Sequence, residues 1–366
     1  MKTDYCVHLI FQVSYMKIIR PFLYLLLILV GAFSLFLLYA TIDDYRPHEL
    51  TDQPTDCEAD ILDDSLHFNL MIWNIGYAGL DASMDFFYDG GEQMRPDREV
   101  VKRNMEGITS TLSPYITYDF IMLQEVDQKS KRSYLINEYQ VIKDQFKDYH
   151  SSFGKNYDVS FVPIPVTEPM GMVNSGLMTL SSHFPSSVAR HSFPGNYSWP
   201  VKLFMLDRCF LVNRYLLDNQ KELVLINTHN SAYDDGSLRT QQMDYLREYL
   251  LSEYEKGNYV IVGGDWNQTP FGLKPELPSH LFDTENLSYV EKDYPDPGWD
   301  WAYDTSLPTN RRLATPYDKS STLTTIIDYY LASPNVELNE VKTIDLNFQY
   351  SDHQPVILKA SLSLNH

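Results

Sequence analysis

Eight polar residues, each at the end or on one face of a short apolar stretch, are the residues of this chain best suited to chemistry. Four are carboxylates, two are asparagines and two are histidines. Active sites in open α/β sheets lie where strands end, so we expect these side chains to form one site. They are Asn74, Glu125, His229, Asp265, Asn267, Asp328, Asp352 and His353.

The residue types indicate the chemistry. Carboxylate and amide oxygens are hard ligands, so they favour Mg2+, with Mn2+ or Ca2+ as alternatives, over Zn2+. Histidines beside carboxylates suit proton transfer near neutral pH. The combination fits hydrolysis of a phosphate ester: a metal neutralises the phosphoryl group, an aspartate activates water, and histidines and asparagines stabilise the developing charge. Taken singly, each residue also fits a turn, a cap or a satisfied buried polar group.

Two stretches carry most of this argument. The apolar run 259–262 predicts a buried strand, and Gly263 and Gly264 predict either a tight turn or a close approach to another part of the chain. Asp265 would then lie where that strand emerges. Asp328 alternates with apolar neighbours on a second predicted strand, so its carboxylate needs a buried partner, for which a histidine is the natural candidate.

The remaining elements alternate between strands and helices. One helix is predicted after Asp97 as N-cap, with apolar residues at 101, 105, 108 and 112, and a second is predicted to end at Gly257. The aromatic, proline-rich stretch 268–322 is a candidate substrate-facing insertion. Its Trp299, Trp301 and Tyr303 either line a lipid- or base-facing pocket or pack the insertion. Further strands are predicted near 68–73, 120–123, 176–180, 209–217, 223–226, 325–331 and 355–360.

The N-terminal region predicts a membrane segment. Residues 22–40 carry no charge, and as a helix they would span about 28 Å, close to the thickness of a bilayer core. We predict a transmembrane anchor at 18–40; a cleaved signal segment, giving a secreted protein, and a buried helix are the alternatives. Lys17 and Arg20 before the run and Asp43 after it place residues 1–17 in the cytoplasm and the catalytic domain outside. Residues 41–65 are predicted as an acidic linker and 66–366 as the catalytic domain.

The charge balance limits the partners. The net charge is −20, which does not favour duplex nucleic acid because nucleic-acid binding depends on neutralising phosphates. A local basic pocket or a bound metal is still compatible with this charge. Cys6, Cys57 and Cys209 give no disulfide framework. Cys209 is predicted to be a core residue, a Cys57–Cys209 bridge has no positive support, and the sequence predicts no protein partner.

The order of the short motifs resembles the endonuclease/exonuclease/phosphatase superfamily, which includes DNase I-like nucleases and neutral sphingomyelinases. The resemblance covers about residues 66–366, and the ordered set is far more specific than any single motif. It implies an α/β (α+β) fold, a four-layer sandwich of two packed β-sheets flanked by helices. The motifs are WNI at 73–75, LQEV at 123–126, NSGL at 174–177, NTH at 227–229, GDWN at 264–267, IDY at 327–329 and SDHQP at 351–355.

The resemblance also implies roles. Glu125 matches the metal-binding glutamate, with Asn74 beside it and Asp352 as a further metal-side carboxylate. Asp265 matches the aspartate that positions or deprotonates water, and Asn267 the asparagine that orients the phosphate. His229 and His353 match the histidines that contact phosphate and shuttle protons, and Asp328 matches the residue that orients His353.

Arginines are the natural additional phosphate contacts. Arg311 and Arg208 are the main candidates, Arg239 and Arg312 are others, and each is also compatible with an ordinary surface role. The sequence therefore predicts a membrane-anchored, metal-dependent phosphoric ester hydrolase acting on lipid or small phosphodiesters. An extracytoplasmic nuclease is the alternative, and a catalytically silent binding domain is less favoured because the full polar set is present.

Overall fold

The computed structural model of this protein describes residues 2–55, 58–63, 67–232, 236–284 and 287–363, with side chains from residue 20 onward. The helices are α1 (Lys2–Asp43), α2 (Arg98–Leu112), α3 (Glu138–Gln145) and α4 (Ser237–Glu255). The strands are β1 (Leu50–Gln53), β2 (Ile61–Leu62), β3 (His67–Asn74), β4 (Phe120–Asp127), β5 (His150–Val162), β6 (Gly171–Ser181), β7 (Ser187–Ser192), β8 (Cys209–Leu217), β9 (Glu222–His229), β10 (Tyr259–Asp265), β11 (Asp300–Ala302), β12 (Asn310–Arg311), β13 (Thr324–Thr325), β14 (Asp328–Ala332), β15 (Val336–Thr343) and β16 (Val356–Leu362).

Two large sheets pack face to face. One has the strand order β1-β7-β8-β9-β10-β14-β11, with β2 paired to β8, and the other has the order β15-β16-β3-β4-β6-β5. Helix α4 covers the outer face of the first sheet, and α2 and α3 cover the outer face of the second. The predicted four-layer sandwich is therefore confirmed.

The strands β3 and β10 show why the layers form. Alternate residues of a strand point to opposite faces. In β3, Leu70 and Ile72 enter the core between the sheets, whereas Trp73 packs under α2. In β10, Ile261 enters the same central core, and Val262 packs under α4. The segments 70–73 and 260–262 of these strands are apolar on both faces because both faces are covered there.

The two glycines after Val262 do not make a turn. Strand β10 continues through them to Asp265, and they permit close packing instead. A Cβ on Gly263 would lie 2.8 Å from side-chain atoms of Ile72, Met122 and Tyr330. A Cβ on Gly264, whose φ is +147°, would lie 2.0 Å from the Thr228 carbonyl oxygen. The central sheet contact therefore requires glycine at both positions.

Parts of the predicted linker at 41–65 belong to the sheet. Strand β1 pairs with β7 in antiparallel register, and β2 pairs with β8 in parallel register. Because exposed edge strands accept further strands readily, this acidic segment is held against the domain at two points instead of serving only as a solvated spacer.

Helix α1 contains the apolar stretch. Its portion Arg20–Asp43 is long and apolar enough to cross a membrane or to be a signal sequence, with a mean hydropathy of 2.5. None of the residues of its most apolar window is buried, so it is not a core helix of the domain. Cleavage and orientation remain predictions.

The insertion 268–322 divides between packing and the site. Trp299, Trp301 and Tyr303 pack with Trp266 and Tyr329 under the first sheet, so they fill the insertion and do not line a pocket. Elsewhere the insertion contributes to the cavity described below. The predicted helices also form: α2 begins after Asp97, whose side chain makes no capping hydrogen bond, and α4 ends before Gly257 at φ +81°. Cys209 is a free, buried cysteine, and Cys57 lies outside the described residues.

Candidate active site

Strand register brings the predicted residues into one row. Strands β9 and β10 are parallel and β14 is antiparallel to β10, so Asp265 lies directly between His229 on one side and Asp328 on the other. In the second sheet, β3 and β4 are parallel and pair Asn74 with Gln124, beside Glu125. The ends of the two sheets therefore meet at a single location.

Asp265 lies at the centre of the polar contacts. Its Oδ2 accepts a hydrogen bond from Asn74 Nδ2 at 3.0 Å and lies 3.4 Å from His229 Nε2 and 3.7 Å from His353 Nε2. Its Oδ1 accepts the backbone N–H of Asn267 at 2.9 Å. Asn267 has a φ of +50°, a strained conformation that is typical of functional sites, and its side chain donates to the Asn230 carbonyl at 2.9 Å.

His353 has the buried partner expected from the sequence. Its Nδ1 lies 2.8 Å from Asp328 Oδ2, which turns Nε2 toward Asp265 and Asp352. Asn310 Nδ2 lies 2.9 Å from Nε2. The backbone N–H of His353 donates to Ser351 Oγ at 3.1 Å. The imidazole is thus held through Nδ1 and through its own backbone, with Asn310 in contact at Nε2.

Glu125 and Asp352 form an acidic pair that is separate from Asp265 and Asp328, and the charge of Glu125 acts on Asp352. A bulge in β4 between Leu123 and Val126 contains Glu125 at a φ of +55°. The bulge re-aims this side chain into the site, where Oε1 accepts from Asn74 Nδ2 at 3.2 Å. Asn74 therefore connects this pair to Asp265.

The pKa values differ sharply among these groups. Burial raises the pKa of Asp265 to about 6, opposed by His353 and assisted by Asp328. Burial also raises the pKa of Asp352 to about 7, with Glu125 adding to the shift. For His353, burial lowers the pKa, but the surrounding carboxylates of Asp328, Asp265 and Asp352 outweigh it and hold the pKa well above its ordinary value.

His229 behaves in the opposite way to His353. Burial, together with the positive charges of Arg208 and His353, lowers its pKa well below the ordinary value. Its Nδ1 is buried and has no hydrogen-bond partner among the described residues. The site thus pairs a neutral histidine with a protonated one, on either side of Asp265.

A cavity of about 310 Å3 opens over these groups. Six of the eight predicted residues line it, and the other two, Asn74 and Asp328, contact lining residues: Asn74 bonds Asp265 and Asp328 bonds His353. Apolar side chains also line it. They are Leu80, Phe86, Tyr157, Met170, Phe204, Met205, Leu206 and Leu313.

The arginines separate into two groups. Arg311 is buried, and its two terminal nitrogens donate to the carbonyl oxygens of Asp81, Met84, Arg312 and Thr315. These contacts use the guanidinium to hold two loops together, but Arg311 also lines the cavity, so its role as a phosphate contact stays a prediction. Arg208 and Arg239 line the cavity and stay predicted phosphate contacts. Arg312 also lines it and pairs with Asp283.

Two site residues were not found from the sequence. Asn310 contacts His353, and Thr309 Oγ1 accepts the backbone N–H of Asp328 at 3.1 Å and of Ile327 at 3.0 Å. Thr309 lies directly before β12 and Asn310 is its first residue, both inside the insertion. Their only signal in the sequence was a polar TN pair after a proline at 308, which is equally typical of a turn.

The donor set fits a divalent cation. Asp265, Asp328 and His353 offer ligand atoms within 4.8 Å of one another, but Asp328 and His353 already satisfy each other. Glu125 and Asp352 are more suitable. Among the described residues, the side chain of Glu125 accepts a hydrogen bond from Asn74 and that of Asp352 from Ser351, and neither accepts one from a lysine or arginine. Two such carboxylates with the amide of Asn74 match the oxygen ligands of Mg2+.

A family model described as the Endonuclease/Exonuclease/phosphatase family matches residues 71–353. The chain belongs to this family. The match begins within β3 and ends at His353, so it contains all eight predicted residues. Comparison with curated protein sequences finds no match.

Solved structures show the same fold. An endonuclease/exonuclease/phosphatase from Beutenbergia cavernae DSM 12333 has a TM-score of 0.56 at 16% identity, over 81% of this chain and 72% of that one. ANGEL2, a 2',3'-cyclic phosphatase in complex with adenosine-2',3'-vanadate, has a TM-score of 0.53 at 16% identity, over 87% and 100%. A family member from Bacteroides vulgatus has a TM-score of 0.52 at 14% identity, over 81% and 100%. At these identities the likeness concerns the fold alone.

Proposed function

We propose that this protein is a membrane-anchored, divalent-metal-dependent hydrolase of phosphate esters whose catalytic domain lies outside the cytoplasm. The observation that carries the proposal is the row His229–Asp265–Asp328 with His353 bonded to Asp328, beside the separate acidic pair of Glu125 and Asp352. Membership of a phosphoesterase family supports the same reaction class.

Asp265 is the proposed general base. A base is most effective when its pKa lies near the working pH, and burial raises the pKa of this carboxyl to about 6. Its Oδ2 faces the cavity between two histidines. In this role it accepts a proton from the attacking water, while Asn74 and the Asn267 backbone fix its orientation.

His353 and His229 are proposed to stabilise the phosphoryl oxygens. His353 is held protonated by the three carboxylates around it, so it supplies a positive charge where negative charge develops. Asp328 fixes its ring through Nδ1 and acts as a positioning residue. His229 is held neutral and contributes a hydrogen bond from a ring nitrogen.

Glu125 and Asp352, with Asn74, are the proposed ligands of a divalent cation, with Mg2+ favoured over Mn2+ and Ca2+ by the hard oxygen set. Such a cation would neutralise phosphoryl charge in the site. Asp265 and Asp328 do not need it, because His353 already balances part of their charge.

The cavity favours a small or amphiphilic ester. Its volume of about 310 Å3 suits a phosphate group with one adjoining moiety. The net charge of −20 disfavours a duplex lying across the surface. An extracytoplasmic nuclease acting on short single strands or cyclic nucleotides is the second candidate, favoured by the likeness to ANGEL2 with its bound adenosine-2',3'-vanadate.

The experiment is a substrate panel with the full-length protein in detergent. The panel contains bis(4-nitrophenyl) phosphate, a phosphatidylcholine, an inositol phosphate, adenosine 2',3'-cyclic phosphate, and single- and double-stranded DNA, each with Mg2+ and with chelator. We expect hydrolysis of phosphodiesters that chelator abolishes. A nuclease would show rates on DNA that fall steeply with salt. Rates unaffected by chelator would contradict the metal assignment.

Glu125→Gln provides the matched test of that assignment. It retains the size of the side chain but removes the charge, so the Mg2+ concentration for half-maximal activity should rise by about 10-fold or more. An unchanged Mg2+ requirement would place the cation elsewhere.

A further inference from the structure

A group of exposed apolar side chains lies where the domain meets α1. They come from the end of β5 and its following loop and from the segment before β8. Val166 is 84% exposed, Trp199 54%, Ile164 49%, Val201 48% and Phe161 40%. We call these five residues the apolar rim. Single exposed apolar residues are ordinary, but a cluster of them marks a contact surface.

The rim is attached directly to the apolar helix. The ring of Phe36 in α1 lies 6.2 Å from that of Phe161, edge to face, and is stacked 5.8 Å from that of Phe204. Trp199 Nε1 donates to Thr41 Oγ1 at 3.2 Å. The surface that carries the rim is therefore the surface nearest the end of α1.

The length of α1 sets the depth of this contact. Phe36 lies 16 residues after Arg20, or about 24 Å along a helix, which is less than the roughly 30 Å of a bilayer hydrocarbon core. Asp43 lies about 34 Å along, just beyond it. If Arg20 marks one interface, groups that touch Phe36 lie at the other interface, at the level of the acyl chains and head groups. Tryptophan beside Thr41 is typical of that level.

The rim is also continuous with the apolar wall of the cavity. Phe204, which stacks on Phe36, is itself a lining residue, and Met205 and Leu206 follow it. Tyr88, another lining residue, donates its hydroxyl to the Ile164 carbonyl at 3.1 Å. Apolar residues of the cavity wall thus adjoin both the rim and the end of α1.

We propose that the apolar rim inserts into the bilayer interface and that the cavity receives the phosphoester of a lipid from that surface. The rim insertion rests on the proposed membrane anchor together with the contacts above, and the lipid substrate class rests on the proposed reaction. The polar wall binds the phosphate, and the wall of Met170, Phe204 and Leu206 accommodates the apolar part of the lipid next to it. The strongly acidic composition means that this docking is apolar and not electrostatic.

The first test measures insertion without using activity. Full-length protein is reconstituted in phosphatidylcholine vesicles with and without bromine on the acyl chains, and tryptophan fluorescence is compared with that of Trp199→Phe. The other tryptophans are buried or partly buried in the domain. We expect bromolipid to quench the wild type, independently of salt, and that quenching to be lost in Trp199→Phe. Equal quenching in both proteins, or none in either, would overturn the proposal.

The second test separates lipid from soluble substrates. Val166→Asp adds a charge to the rim, and Ile116→Asp adds one to a 48% exposed residue before β4, at the opposite end of that strand from Glu125. We expect Val166→Asp to hydrolyse phosphatidylcholine in vesicles about 10-fold more slowly, with an unchanged rate on bis(4-nitrophenyl) phosphate. Ile116→Asp should change neither rate.

The outcomes are distinguishable. Equal lipid rates in Val166→Asp and wild type would refute lipid delivery through the rim. A wild type that hydrolyses neither substrate would refute the proposed function, while the quenching result would still decide whether the rim meets the bilayer.

Discussion

Two buried carboxylates of this protein respond to burial in opposite ways. Glu253 on α4 and Asp265 at the end of β10 are both almost inaccessible to solvent. Burial alone raises the pKa of either group. Yet hydrogen bonds from Arg214, Lys256 and Asn258 overcome burial and lower the pKa of Glu253 to about 2, whereas the pKa of Asp265 is raised to about 6.

The difference lies in how many hydrogen-bond donors each carboxylate receives. Glu253 receives Arg214 Nη2 at 2.6 Å, Lys256 Nζ at 2.8 Å and Asn258 Nδ2 at 2.8 Å, which satisfies its charge completely. Asp265 receives one amide and one backbone N–H, and its other neighbours include a further carboxylate, Asp328. The first arrangement stabilises the fold. The second leaves the Asp265 carboxylate with few donors, so its negative charge is unfavourable until a proton, a cation or a substrate compensates it.

Asp265→Asn should have the largest effect on the rate of hydrolysis. Removing the proposed base should lower the rate on a soluble phosphodiester by about 10^3-fold. Because the variant also removes a poorly satisfied charge, its melting temperature at pH 7 in chelator should rise by a few degrees. Enzyme assays and thermal unfolding check both parts. A large loss of stability would show that Asp265 is a structural residue like Glu253.

Asp328→Asn should have the next largest effect. The variant keeps the size of the side chain but loses the charge that holds His353 protonated, so kcat should fall by about 10^2-fold. The alkaline limb of the pH–rate profile should move to lower pH, since a lowered His353 pKa deprotonates earlier. A reduced rate with an unmoved profile would indicate that Asp328 does not act through His353.

Glu253→Gln should affect stability alone. Loss of its charge-assisted hydrogen bonds should lower the free energy of unfolding by about 2 kcal/mol, moderated by solvent around Arg214 and Lys256. The kcat should be unchanged. Glu255→Gln, an exposed neighbour on the same helix, is the control and should alter neither quantity. If Glu253→Gln and Glu255→Gln had equal free energies of unfolding in denaturant, Glu253 would not stabilise the fold. Its contrast with Asp265 would then be lost.

The smallest effect is the pH dependence of these stability changes. The folded pKa of Glu253 is lowered from 4.5 to about 2, so its contribution is present above pH 4.5 and is lost as the pH falls toward 2. The folded pKa of Asp265 is raised from 3.8 to about 6, so its unfavourable contribution is present above pH 6 and disappears as the pH falls toward 3.8. Unfolding of the wild type and both variants from pH 3 to 8, in chelator, measures the two opposite trends. Parallel trends would contradict the comparison.

The sequence by itself determined the content of the site. Strands end in recognisable polar residues, and parallel neighbours such as β9 and β10 bring their carboxyl ends to one edge. The positions of His229, Asp265 and Asp328 therefore followed from local patterns and motif order. The partner of Asp328 was also accessible, because a carboxylate on a buried strand face requires one.

Only the tertiary structure decided which distant residues each side chain contacts. Arg311 is predicted from the sequence only as a phosphate contact, but its guanidinium also bonds four carbonyls of two loops, 81–84 and 312–315. Asn310 resembled a turn residue, but it lies against His353. The two glycines of β10 fitted either a turn or a close approach, and the crowding by Thr228 and Tyr330 shows that the close approach is correct. In each case the deciding partner is distant in sequence or belongs to another strand, and local patterns carry no information about such partners.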